Sequence, residues 1–134
     1  MNASQLKTIL DSVVHPDHRN FSLTFSRKKT RGRMGTYFFK RQLIVIYLPL
    51  CVTDIRIIST GLHELAHHVV WETYKDIVRS RKTRLHGVFF TSRLTQILNT
   101  FNNAYGKKMK GGFAFNKGRP SIVPTFREFP TARE

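Results

Sequence analysis

A single cysteine stands among the 134 residues. Cys51 can form no internal disulfide and no multi-cysteine zinc ribbon, and reads as a small buried hydrophobe. Acid is scarce as well: eight Asp and Glu stand against 23 Lys and Arg, a net charge of +15. Long apolar runs are missing. The longest, Leu43 to Val52, is interrupted by Pro49 and is too short to span a bilayer. The first residues, MNASQLKTILDSVV, have no basic leader followed by an extended apolar stretch, so no secretory signal is evident. The expectation is an intracellular protein, cytoplasmic or nucleic-acid-associated, not secreted and without a transmembrane segment. Internal repeats and low-complexity tracts are also absent.

The residues that are present argue for a folded chain. Forty per cent are apolar and eleven are phenylalanine, and the length suits one domain over 1–134. The basic residues come in three blocks, at 27–33, 79–84 and 107–110, with almost no interspersed acid. Such blocks fit a polyanion, DNA or another nucleic acid, although each alone is also a solvated surface. No zinc finger or RNP-like aromatic motif supports base-specific reading.

The chain is organised around His63-Glu64-Leu65-Ala66-His67. Ile55, Ile58, Leu62, Leu65, Ala66 and Val69 recur at three- and four-residue steps, which predicts a helix from about position 54 to the late seventies, capped by Thr53 or Asp54. Histidines four apart project from one helix face and can meet one zinc ion, while Glu64, about 100° around the helix, can reach a water there. A catalytic zinc needs a third protein ligand and an open fourth position. A second turn of the form His-x-x-Gly-x-x-His fails at Val70 and Thr73, and no glutamate occurs between Glu72 and Glu128. His86, followed by Gly87, remains as the third ligand; the plainer reading is an exposed loop histidine.

Around that segment, Ser4 is a candidate cap for a first helix bearing Leu6, Ile9, Leu10 and Val13. Phe21, Leu23 and Phe25 alternate with polar residues as a half-buried strand. Residues 36–39 and 43–48 read as two short strands or one irregular strand, with LIVIYL the more buried. Gly61 suggests close approach of a strand, or else the helix breaks near Ser59 and Thr60. Trp71, Tyr74, Ile77 and Val78 extend the helix's packing surface. Thr91 or Ser92 can cap a third helix carrying Leu94, Ile97, Leu98 and Phe101. The segment 107–134 reads as a C-terminal arm or small hairpin, with loop after Pro124.

LHELAH at 62–67 and HGVFF at 86–90 resemble the SprT-like family of zinc metalloproteases, which includes the DNA-dependent Spartan proteases. HGVFF fits that family's His-Gly-x-x-Phe pattern. The resemblance covers 36 to about 101 well and the ends weakly. It implies an α+β, zincin-like domain: a small β-sheet packed on a long HExxH metal helix, with flanking helices. It implies one catalytic zinc held by His63, His67 and His86, Glu64 as catalytic base, and Gly87 and Phe90 as supports of the third-ligand loop. The chain departs from many members in lacking the cysteine-based ribbon and a long tail. The implied activity is a zinc-dependent endopeptidase acting on proteins bound to or near DNA. The alternative is a nucleic-acid-binding protein with a structural or vestigial zinc site. Tyr37, Tyr74, Tyr105, Arg84 and Arg93 are candidates for stabilising a developing oxyanion.

Overall fold

A computed structural model describes residues 1–79, 86–107, 109–116 and 119–125, with side chains described outside 75–79, 110–116 and 119–125. The described residues form an α+β fold with three α-helices, a three-stranded sheet and a two-stranded one. In chain order these are α1 (Ala3–Ser12), β1 (Ser22–Ser26), β2 (Gly35–Phe38), β3 (Leu43–Tyr47), α2 (Asp54–Arg79), α3 (Val88–Tyr105), β4 (Lys110–Asn116) and β5 (Arg119–Thr125). No helix among the described residues is long and apolar enough to cross a membrane.

Residues 43–47 of the apolar run LIVIYL become the central strand, and Leu48 opens a 3-10 turn. β3 pairs with β1 in parallel and with β2 antiparallel, giving the order β1-β3-β2. Ile44, Val45, Ile46 and Tyr47 are all buried, so side chains on both faces of this central strand are covered. Ile44 and Ile46 join Leu62, Leu65, Ala66 and Val69 of α2 in the core. Leu6 and Leu10 of α1 enter the same core, as do Phe90, Leu94 and Phe101 of α3.

Several termini differ from the sequence expectations. Asn2, not Ser4, caps α1: its side chain accepts from the Gln5 amide, and the Gln5 side chain accepts from the Asn2 amide, each at 2.8 Å. This reciprocal pair satisfies two otherwise orphaned donors. The cap of α2 is one of the two expected residues, Thr53, its Oγ1 accepting from Arg56 N at 3.3 Å. α3 begins a turn earlier than expected, with Gly87 as its N-cap and Gly106 closing it in the left-handed region at φ 63°. Thr91 lies inside this helix and donates from Oγ1 back to the Gly87 carbonyl at 3.0 Å.

Gly61 answers a helix, not a strand. A Cβ there would lie 3.2–3.3 Å from the methyl ends of Leu6 and Leu10, so its absence lets α1 settle against α2. The irregularity in α2 falls at Tyr74, with φ −126° and ψ 30°, and not near Ser59 and Thr60. In the C-terminal segment, β4 and β5 pair antiparallel, with Lys110 opposite Thr125 and Asn116 opposite Arg119. β5 therefore continues past Pro124; the expected loop beyond it lies outside the described residues from 126 onward. Asn102 fastens the start of this hairpin to α3, donating to the Met109 carbonyl and accepting from its amide, both at 2.8 Å.

Candidate metal centre

α2 carries His63, Glu64 and His67 on consecutive turns, and His86 stands immediately before the N-cap of α3. The fold brings the three histidines together: one ring nitrogen from each lies within 4.8 Å of the others. The Nε2 atoms of His67 and His86 approach to 3.1 Å. Ring centroids are 5.1 Å apart for His63–His67, 5.2 Å for His63–His86 and 4.9 Å for His67–His86. His86 is thus no free loop side chain.

Phe90, one turn into α3, forms an apolar floor to this cluster. Its ring centroid lies 4.8 Å from His63, 4.3 Å from His67 and 4.9 Å from His86. It is 1 % exposed and leaves the imidazoles little room to turn away from one another. Burial lowers the pKa of all three, with His63 brought down to about 4 by burial first and His86 second. All three rings are therefore neutral at neutral pH, with lone pairs available to a cation. His63 Nδ1 is buried without a hydrogen-bond partner among the described residues. Three convergent neutral imidazoles form a donor set suited to a divalent transition metal.

Glu64 lies beside this cluster, 7 % exposed, and burial raises its carboxyl pKa to about 8. The start of β2 presses on it. A Cβ on Gly35 would stand 2.7 Å from Thr60 Cγ2, 3.1 Å from the Val45 carbonyl and 3.2 Å from Glu64 Cγ. Only a residue without a side chain lets the edge strand pass so close to the acid. Sequence reasoning missed Gly35; the one available signal was a glycine at the end of the basic loop, directly before the strand.

The next residue on the helix, His68, has turned away from the cluster and is fully buried. Its Nε2 donates to Asn20 Oδ1 at 2.9 Å, and its Nδ1 accepts the Tyr37 hydroxyl at 2.7 Å. Burial lowers its pKa to about 4, so the ring is neutral and both nitrogens are used. This tie joins α2 to β2 and to the residues before β1. Replacing His68 by Leu should lower stability by about 1–3 kcal/mol, the cost of stranding polar partners. A urea melt measures that loss, and metal content should stay as in the wild type. An unchanged midpoint would show that the tie contributes nothing.

The remaining candidates separate clearly. Tyr37 is committed to His68, and burial, with Glu72 second, raises its pKa. Tyr105 is bonded to Ser12 Oγ at 2.7 Å, at the far end of α3. Tyr74 stacks on Phe89 at 4.3 Å and accepts from Arg93 Nη2 at 3.0 Å, which places this pair against the first turns of α3. Arg84 lies outside the described residues, as do most of the 79–84 block and Lys108. In the first block, Arg27, Lys28, Lys29, Arg31 and Arg33 are all exposed, on the loop leading into Gly35.

A family model described as the SprT-like family matches residues 4–110. No curated protein and no solved structure gives a match.

Proposed function

We propose that this chain, which belongs to the SprT-like family, is a zinc-dependent endopeptidase that hydrolyses proteins bound to or near DNA. The observation that carries the reading is the convergence of three neutral imidazoles beside a buried acid on the same helix. In this reading 1–134 is one zincin-like domain, and His63, His67 and His86 hold a single zinc ion. The chemistry expected of zinc there is Lewis acidity, which acidifies water and polarises a carbonyl, together with a dication's field that opposes the burial raising Glu64.

Glu64 is the base. Its carboxylate takes a proton from the attacking water and returns it to the leaving amine as the peptide bond breaks. The wall formed by Gly35 and Thr60 keeps its side chain in place and excludes competing solvent. Phe90 enters the site from α3 and His86 from the residue before its N-cap, so the packing of α3 on α2 sets how the third imidazole meets the other two. A purely structural metal site has no use for an acid buried at this position, which favours the peptidase over the binder with a vestigial centre.

The nucleic-acid part of the reading rests on charge. Five exposed cations at 27–33 run directly into Gly35, which abuts Glu64, so a polyanion held there lies beside the site. The test is cleavage of a disordered basic protein by zinc-loaded and chelator-stripped enzyme, with and without DNA. Zinc-dependent cleavage accelerated by DNA is expected, with the acceleration falling as salt rises. Equal activity after complete removal of metal would overturn the reading.

A further inference from the structure

We propose that Phe39 and Trp71, flanked by Lys40 and Arg41, form a stacking site for an unpaired base of a single-stranded nucleic acid. This deepens the function proposed above and takes from it only the choice of a polyanionic partner.

Phe39 leaves the end of β2 and is 45 % exposed, an unusual position for a large apolar ring. Its ring meets the half-buried Trp71 of α2, centroids 4.6 Å apart and planes inclined at 45°. The turn holding Phe39 is fixed in advance. Arg41 N donates to the Phe38 carbonyl at 3.2 Å and Gln42 N to the Phe39 carbonyl at 3.3 Å. Gln42 takes a left-handed φ of 48°, and its amide donates to Glu72 Oε2 at 2.8 Å, tying the turn to the helix residue next to Trp71. A ligand meeting this surface therefore pays little ordering cost.

Charge selects the occupant. Lys40 and Arg41 are exposed, and neither joins an ion pair among the described residues. The adjacent carboxylate, Glu72, is engaged by Gln42 and stands 3.8 Å from His18 Nδ1. An aromatic face beside two cations matches a base and its phosphates. A duplex keeps its base faces stacked inside, so only an unpaired base can use the ring. An apolar peptide could use the ring but gains nothing from the cations. Trp71 follows His67 by one helical turn, about 6 Å along the axis. A strand bound here would carry its attached proteins to the edge of the metal centre.

Trp71 is the only tryptophan, so its fluorescence reports the site directly. The full-length protein would be titrated with an oligothymidylate, an abasic oligomer of equal length, a blunt duplex and an acidic apolar peptide. Saturable quenching by oligothymidylate alone is expected. Phe39→Ala and Phe39→Leu should each weaken that binding roughly 10- to 100-fold, with thermal melts verifying that both remain folded. Lys40→Gln with Arg41→Gln should reduce the slope of log affinity against log salt by about 1.4, for two lost phosphate contacts. Equal quenching by the abasic oligomer or the duplex would overturn the site, as would full affinity in both Phe39 variants. Tighter quenching by the peptide would make it a protein-docking surface instead. Quenching without any proteolysis would count against the peptidase and leave this site standing; DNA-stimulated proteolysis without quenching would do the reverse.

Discussion

Glu64→Gln should lower peptide-bond cleavage by about 10²- to 10⁴-fold, the usual contribution of a positioned general base, while leaving zinc content at the wild-type level. The substitution keeps the shape of the side chain and removes its capacity to accept and return a proton. The wild-type carboxyl is buried and tends towards its neutral form in the metal-free protein, its pKa raised to about 8. A neutral amide therefore sits in that place without a new desolvation penalty. The thermal midpoint of the metal-free variant should match or exceed that of the wild type. Turnover on a disordered substrate, beside zinc quantified by mass spectrometry, separates the outcomes. Retention of more than a tenth of wild-type turnover would remove Glu64 from the mechanism.

Loss of zinc is the expected outcome of His86→Ala. Two imidazoles on one helix remain, and the centre loses the imidazole held just ahead of α3. The affinity should fall by more than the 10- to 100-fold that accompanies loss of groups merely supporting a ligand, and cleavage should fall with it. The fold should survive. His86 precedes α3, and the Gly87 carbonyl that receives Thr91 N and Oγ1 is untouched. Circular dichroism and competition against a chromogenic chelator would show this together. Wild-type zinc affinity in a folded His86→Ala protein would exclude the residue as a ligand.

The parts of the structure that could be read from sequence are those set by periodicity. The alternation around Phe21 to Phe25, the buried run at 43–47 and the apolar stripe of α2 each reflect one element meeting one core, and the strands and helix follow. The convergence of the three histidines was legible because His63 and His67 are separated by one helical turn and His86 stands in a recognisable pentapeptide. Where sequence reasoning erred, the deciding partner came from elsewhere in the chain. Gly61 is shaped by Leu6 and Leu10, over fifty positions away. His68 is silent in a helical wheel, and only the tertiary fold supplies Asn20 and Tyr37. Caps were misplaced because Asn2 and Gly87 compete with equally plausible Ser4, Thr91 and Ser92, and local preference differs too little among them to decide.

The strand order β1-β3-β2 also governs the sequence of assembly. β1 and β2 share no ladder, and each must wait for β3, which follows both in the chain. During synthesis, residues up to 42 can therefore form α1 and a scatter of unpaired extended segments but no sheet. The appearance of Leu43–Tyr47 supplies the partner for both strands at once, and α2 follows within seven residues. The three-stranded sheet and α2 are thus committed in one step, and nascent chains halted before Tyr47 would be natural prey for quality-control proteases.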